Sequence, residues 1–255
     1  MLIINEESDM SEDWDFYMCH IEDAPASIFL DLSLNEGAPL TDLDTLLQIT
    51  YTMNSPLENG LSSSEEAEHL YQLEDKLMDI LEPTQHSYVG RLTHAGTRTF
   101  YVYTSSETLG AVVGAVLQGM QGTPLQTETT EDAQWSYYLE WLYPSATELN
   151  EIHTRRLVMK LQEHGDQIES ERPVDHGASF RSEEDARAFA DEFEMLEFDV
   201  ELKQLDEQEP NRYFVNIQRN DIVTLEHINP LVREIVTRVS HHKGTYEGWG
   251  CPIIQ

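Results

Sequence analysis

Cysteine is scarce in this chain of 255 residues: Cys19 and Cys251 stand near opposite ends. Two distant thiols make no disulfide framework and fit a reducing compartment. Cationic side chains are also few. Lysine and arginine number 15 against 48 aspartates and glutamates, a formal net charge of −33. Such a chain is repelled by nucleic-acid phosphates and anionic membranes and attracted to basic partners. No apolar run reaches the roughly 18 residues that cross a bilayer. The start, Met1-Leu-Ile-Ile-Asn-Glu-Glu7, lacks the basic segment of a secretory leader. The expectation is a soluble, cytoplasmic protein with a basic partner, no membrane and no direct nucleic-acid contact.

Catalytic signatures are missing too. No glycine-rich loop follows a strand pattern. Gly110-Ala-Val-Val-Gly114 falls inside a helical pattern, where glycine serves close packing. No serine or cysteine sits in a nucleophile elbow. His20 and the pair His241-His242 match no zinc spacing. Carboxylates are so common that pairing them carries no information. Glu65–Glu68 and Glu183–Asp185 fall at helix starts, where negative charge suits the dipole, and are read as having no further role. These absences predict a non-enzyme without cofactor or metal.

What is present is a repeated pattern. The acid surplus is uneven: residues 1–147 hold 25 acids and three bases (Lys76, Arg91, Arg98), while residues 148–255 hold 23 acids and 12 bases. The shift predicts two domains, 1–147 and 148–255. Alternating apolar residues predict strands over Trp14–Ile21 and Ile28–Leu34, a hairpin whose first strand is covered on both faces. Thr45–Met53 is the next strand. A capping-box start at Ser62-Ser-Ser-Glu-Glu66 opens a helix to Leu81. Ser87–Thr93 and Thr97–Thr104 make a hairpin across Ala95-Gly96. A helix follows Ser106, stopped by Gly119 and Gly122. Strands at Leu125–Thr130 and Trp135–Trp141 close the first domain.

A helix over Glu148–His164 leads to the second domain. There a strand over Ile168–Phe180 precedes a helix opened by Ser182-Glu-Glu-Asp185. Strands over Phe198–Lys203 and Tyr213–Arg219 follow, joined by a turn at residues 208–211. The next helix spans Leu225–Val239, interrupted at Pro230 with Asn229 as cap. A last strand covers Gly244–Ile253. Residues 45–130 and 168–253 thus share the order β-α-β-β-α-β. The expected fold class is α+β: two tandem ferredoxin-like (split βαβ) modules with antiparallel sheets, the first enlarged by an N-terminal β-hairpin. That topology orders its strands 4-1-3-2.

On Arg172, Val174, Asp175, His176, Phe180, Tyr246, Gly248 and Trp249, the C-terminal half resembles the regulator of ribonuclease E activity B family. Glu247 replaces that family's usual aspartate, and Gly177 stands where an aromatic usually follows the histidine. The resemblance implies a small cytoplasmic protein that binds ribonuclease E outside its catalytic half and lowers its activity. The N-terminal half is similar to the family called domain of unknown function 695. The matches include Trp14, Tyr17, Pro25-Ala-Ser-Ile28, Asn59-Gly-Leu61, Tyr88-Val-Gly-Arg91, Arg98 and Phe100-Tyr101. This likeness implies no activity.

Two candidate sites follow. Asp175, His176, Tyr246, Glu247 and Trp249 converge on neighbouring strands. They form either a partner-binding patch of aromatics and acids for a basic segment, or a buried histidine and aromatics with a purely structural role, which is the favoured reading for each residue alone. Arg91, Arg98, Tyr101 and Tyr103 form either an anion-binding site or, for the arginines, ion pairs with Glu74 or Asp75 on the covering helix. The leading functional expectation is a protein-binding inhibitor of ribonuclease E or a related factor. The alternative is a small-molecule or anion-binding protein using the arginine pair.

Overall fold

The computed structural model describes residues 12–82, 84–119, 125–204 and 212–255. Residues 1–11, the helix stop at Gly122 and the turn at 208–211 lie outside them. The chain divides into two compact units, with the boundary between Pro144 and Ser145.

In the first unit β1 (Trp14–Ile21) and β2 (Ala24–Asp31) pair across Glu22 and Asp23, both at positive φ. The second strand begins and ends earlier than its alternation suggests. Asp31 ends it by accepting from the backbone N–H and hydroxyl of Ser33, opening a short 3₁₀ turn over Leu32–Glu36. Then come β3 (Thr45–Thr52), α1 (Ser64–Ile80), β4 (His86–His94), β5 (Thr97–Thr104), α2 (Leu109–Gln118) and β6 (Leu125–Glu131). The turn between β4 and β5 is the two-residue type expected, with Ala95 at φ 48 and Gly96 at φ 78. The six strands form one antiparallel sheet ordered β1-β2-β4-β5-β3-β6.

One face of that sheet packs Leu47, Ile49, Tyr51, Phe100 and Val102 against Leu70, Leu73 and Leu77 of α1 and Val113 and Leu117 of α2. The edge strand β1 is not covered on both faces as expected. Phe16 and Met18 are exposed, because they lie beyond the strands on which α1 and α2 pack. Trp14 is held instead by stacking on Phe29 and Tyr88.

The expected strand at Trp135–Trp141 is a π-helical turn over Tyr137–Leu142. Alternating aromatics suggest a strand, but the Asp132 carboxylate accepts from the backbone N–H of both Ser136 and Tyr137 at 2.9 Å and so starts a helical turn. The turn lies on the other sheet face. Trp135 stacks on Tyr103 at 4.0 Å and donates to the Leu43 carbonyl. Tyr138 donates to the Asp31 carbonyl, and Tyr17 to that of Leu142.

The second unit opens with α3 (Ala146–Glu163), started by a Ser145–Glu148 capping box. Next come β7 (Arg172–Phe180), α4 (Glu183–Met195), β8 (Asp199–Gln204), β9 (Tyr213–Asp221), α5 (Leu225–His241) and β10 (Thr245–Gly250). β7 is shorter than expected, since residues 168–171 belong to the loop before it. Helix α5 runs unbroken through Pro230. The proline removes one helix hydrogen bond, but Ile228, Val232, Ile235, Val236 and Val239 bury a continuous inner stripe that holds the helix together. The sheet order is β10-β7-β9-β8, all antiparallel. Helices α3, α4 and α5 pack on one face only, over Val174, Ala178, Phe180, Val215 and Ile217.

Candidate functional site

The five residues expected to form a partner site divide between the two faces of the second sheet, and a β-bulge decides which goes where. In β10, Tyr246 pairs with Ala178 and Gly248 with Gly177, so Glu247 is the extra residue between them. Gly248 has φ +119, a conformation that suits glycine. Tyr246 and Trp249 are three apart and would face opposite ways in a regular strand. The inserted residue brings both to the helix-covered face. Trp249 sits opposite His176, and its indole N–H donates to Thr154 of α3 at 3.1 Å.

His176 is buried between β10 and β9, with Nδ1 2.8 Å from the Tyr246 hydroxyl. Its Nε2 is buried without a partner. Burial foremost, then the charge of Arg219, lowers its pKa to about 3 against an opposing pull from Asp175. The imidazole is therefore neutral near neutrality. Burial also raises the Tyr246 phenol well above its usual range. His176, Tyr246 and Trp249 thus belong to the covered face and do not present themselves to a ligand.

Asp175 and Glu247 lie on the other face. Asp175 accepts from the side-chain amides of Asn216 and Gln218, both at 2.8 Å. Glu247 accepts from the Ser179 hydroxyl. Among the described residues of this unit, no helix covers that face. Asp199 pairs with Gln218 and Glu201 with Asn216, so two further exposed carboxylates share the face, Glu201 there paired with Lys203 at 2.7 Å. In the middle lies Phe214. Its ring passes over Gly177, where an added Cβ would meet Cζ at 2.7 Å and Cε2 at 3.1 Å. The glycine in the place of an aromatic is thus covered by an aromatic from the neighbouring strand. Sequence reasoning missed Phe214; its signal was Gly177, a glycine inside a strand marking close approach.

Arg172, one of the residues that carries the family likeness, is structural. Its guanidinium grips both oxygens of Asp166 at 2.7 and 2.6 Å and also donates to the carbonyls of Gln167 and Ser170. The side chains are 1% and 0% exposed. Asp166 also accepts from the Ile254 N–H at 2.7 Å, so the pair ties the end of the chain to the loop before β7.

The second candidate set does not converge. Arg91 and Arg98 share the helix-covered face of the first sheet, opposite Phe100 and Thr93 respectively. Arg91 pairs with Glu74 and lies 4.0 Å over the Phe29 ring. Arg98 is buried and donates from Nε to Thr93 at 2.8 Å; burial first, then the charge of Arg91, lowers its pKa. Tyr101 and Tyr103 alternate with Arg98 along β5 and face the other way. Tyr103 donates to Asp132 at 2.6 Å. Among the described residues no group of three or more acids, histidines and cysteines could hold a metal ion. No helix among them is long and apolar enough to cross a membrane.

This two-unit architecture has counterparts among family models. The chain belongs to the family of unknown function (DUF695), whose model matches residues 12–143. The model of the regulator of ribonuclease activity B matches residues 151–251. No curated protein matches the chain. A crystal structure of an unknown protein from Galdieria sulphuraria aligns with 83% of this chain and 99% of its own at 9% identity and a TM-score of 0.22.

Proposed function

We propose that the protein is a non-enzymatic regulator that binds a basic segment of ribonuclease E or a related RNA-processing factor on the helix-free face of its second sheet. The observation that carries this is the surplus of carboxylates on that face, Asp175, Glu247, Asp199 and Glu201 against the single Lys203, beside the Phe214 ring and within the half matched by the ribonuclease regulator family. Carboxylates beside a half-buried ring suit guanidinium and ammonium groups through charge-assisted hydrogen bonds and cation–π contact. The formal charge of −33 adds long-range attraction that speeds encounter and weakens with salt. A segment so held is withheld from RNA, whose phosphates compete for the same cations. His176, Tyr246 and Trp249 support this face from beneath. The two strand orders support reading each unit as a ferredoxin-like module, and the two scarce thiols support a cytoplasmic setting.

The test is a titration of the labelled, arginine-rich non-catalytic half of ribonuclease E with the intact protein across a salt series. Wild-type binding is expected to fall with salt, and Glu247→Lys and Asp175→Lys should each weaken it by about tenfold or more. Wild-type binding that ignores both charge reversals would move the site elsewhere. No binding at low salt would remove ribonuclease E as the partner.

A further inference from the structure

Three of the chain's four tryptophans are covered at least in part: Trp135 is buried, and Trp14 and Trp249 are half-buried. Trp141 alone is exposed, at 40%. The π-helical turn puts it there. Trp135, Tyr138 and Leu142 turn inward and are fully buried, while Tyr137 and Trp141 face outward with rings 4.8 Å apart. Both rest on Tyr101 of β5, at 5.2 and 6.3 Å. Tyr101, Tyr137 and Trp141 thus form one cluster of three rings. The segment is also anchored at its start, where Trp135 adopts φ 55, an unusual conformation for a bulky residue. Short π-helical turns are rare and frequently fall at functional sites.

The surroundings say what such a platform suits. Gln48 of β3 pairs with Tyr101 on one side and Glu128 on the other, so Glu128 lies in the same cross-strand row. Its carboxylate charge is felt at the Tyr137 hydroxyl. Glu128 and Glu140 are exposed. Of the three bases in residues 1–147, Arg91 is paired with Glu74 and Arg98 is buried, both on the opposite sheet face. Only Lys76 points to water, beside Asp79. A flat aromatic pair flanked by carboxylates, in a half nearly without exposed cations, complements a planar cation: a guanidinium can stack on the indole and hydrogen-bond to a carboxylate at once.

We propose that the first unit carries its own docking surface for an arginine-bearing segment of a protein partner, formed by Trp141, Tyr137 and Glu128. It is separate from the acidic face of the second unit and does not depend on the ribonuclease reading. With both faces engaged by one basic chain, the two contacts would reinforce each other through effective concentration.

The experiment uses the intact protein carrying Asp175→Lys and Glu247→Lys, which silences the second face, and fluorescein-labelled repeats of arginine-glycine and lysine-glycine of equal length as probes. The arginine repeat should bind more tightly than the lysine repeat. Trp141→Ala should weaken arginine binding by about fivefold or more, Trp141→Phe should retain most of it, and the exposed Glu128→Lys should weaken it without changing the thermal midpoint. Equal binding of the two repeats, or arginine binding unchanged by Trp141→Ala, would overturn the proposal. So would a Trp141→Ala effect confined to self-association in sedimentation, which would make a second copy the occupant. Failure of the ribonuclease titration with success here would remove only the first reading.

Discussion

Gly177 and Phe214 fit together so closely that a methyl group on the glycine would stand 2.7 Å from the ring's Cζ. The ring thereby lies across β7 toward Glu247, and the strand beneath carries no side chain that could displace it. Gly177→Ala should force the ring off the face. The expected cost is about 1–3 kcal/mol from overpacking, read as a lower urea midpoint, together with weaker binding of a basic segment. Adding Phe214→Leu should recover most of the stability. If Gly177→Ala alone is as stable as wild type, the ring is not held by this contact.

The Arg172–Asp166 pair is buried and shares its remaining hydrogen bonds with backbone carbonyls and the Ile254 N–H. Removing one partner leaves the other charged and desolvated. Arg172→Met should therefore destabilise by about 3–5 kcal/mol. Arg172→Met with Asp166→Leu should be less destabilised than Arg172→Met alone, because no orphaned charge remains. Urea unfolding of both variants distinguishes this from a simple loss of packing. Hydrogen exchange should show the Ile254 N–H losing protection in either variant.

Much of this was legible in the sequence. Strand alternation and the Ala95-Gly96 turn gave the element order, and the order led to the strand arrangement 4-1-3-2 seen in the second sheet. Side-chain partners were less legible. Glu66 reads as a helix-start carboxylate, and Ser63 does cap the helix through the Glu66 N–H. Its carboxylate is instead buried, accepting from the Tyr51 hydroxyl and the backbone N–H of Asn54 and Ser55. That role depends on a strand brought close by folding, which no local pattern encodes. Trp135–Trp141 misled because aromatic alternation suits a strand, while the deciding element is the side chain of Asp132. Alternation alone puts Asp175 and His176, and Tyr246 and Glu247, on opposite faces; that Trp249 shares the face of Tyr246 was not legible, because a bulge reverses facing without changing composition.

His176 makes the stability depend on pH. Its pKa falls from about 6.5 in the unfolded chain to about 3 in the fold, through burial first. The folded state disfavours protonation, so the contribution is fully present above pH 6.5. It is lost as pH falls toward 3, at up to about 1.4 kcal/mol per pH unit. His176→Gln should lose this slope. Urea midpoints measured between pH 7 and pH 5 should converge for the two proteins as pH falls, even though wild type begins higher. Parallel lines would mean that His176 titrates normally.

Gly248 holds the bulge that keeps Tyr246 and Trp249 together on the covered face. A side chain there meets no neighbouring atom within 4 Å, so any cost of Gly248→Ala comes from the backbone at φ +119 and not from crowding. Strain of this kind costs about 1–3 kcal/mol. The simplest relief is to remove the bulge. Three residues from Tyr246, Trp249 would then face water. Gly248→Ala should therefore red-shift the tryptophan emission. In a Trp249→Phe background, adding Gly248→Ala should leave the emission unchanged. A Gly248→Ala protein that is destabilised but keeps wild-type emission would show that the bulge persists under strain.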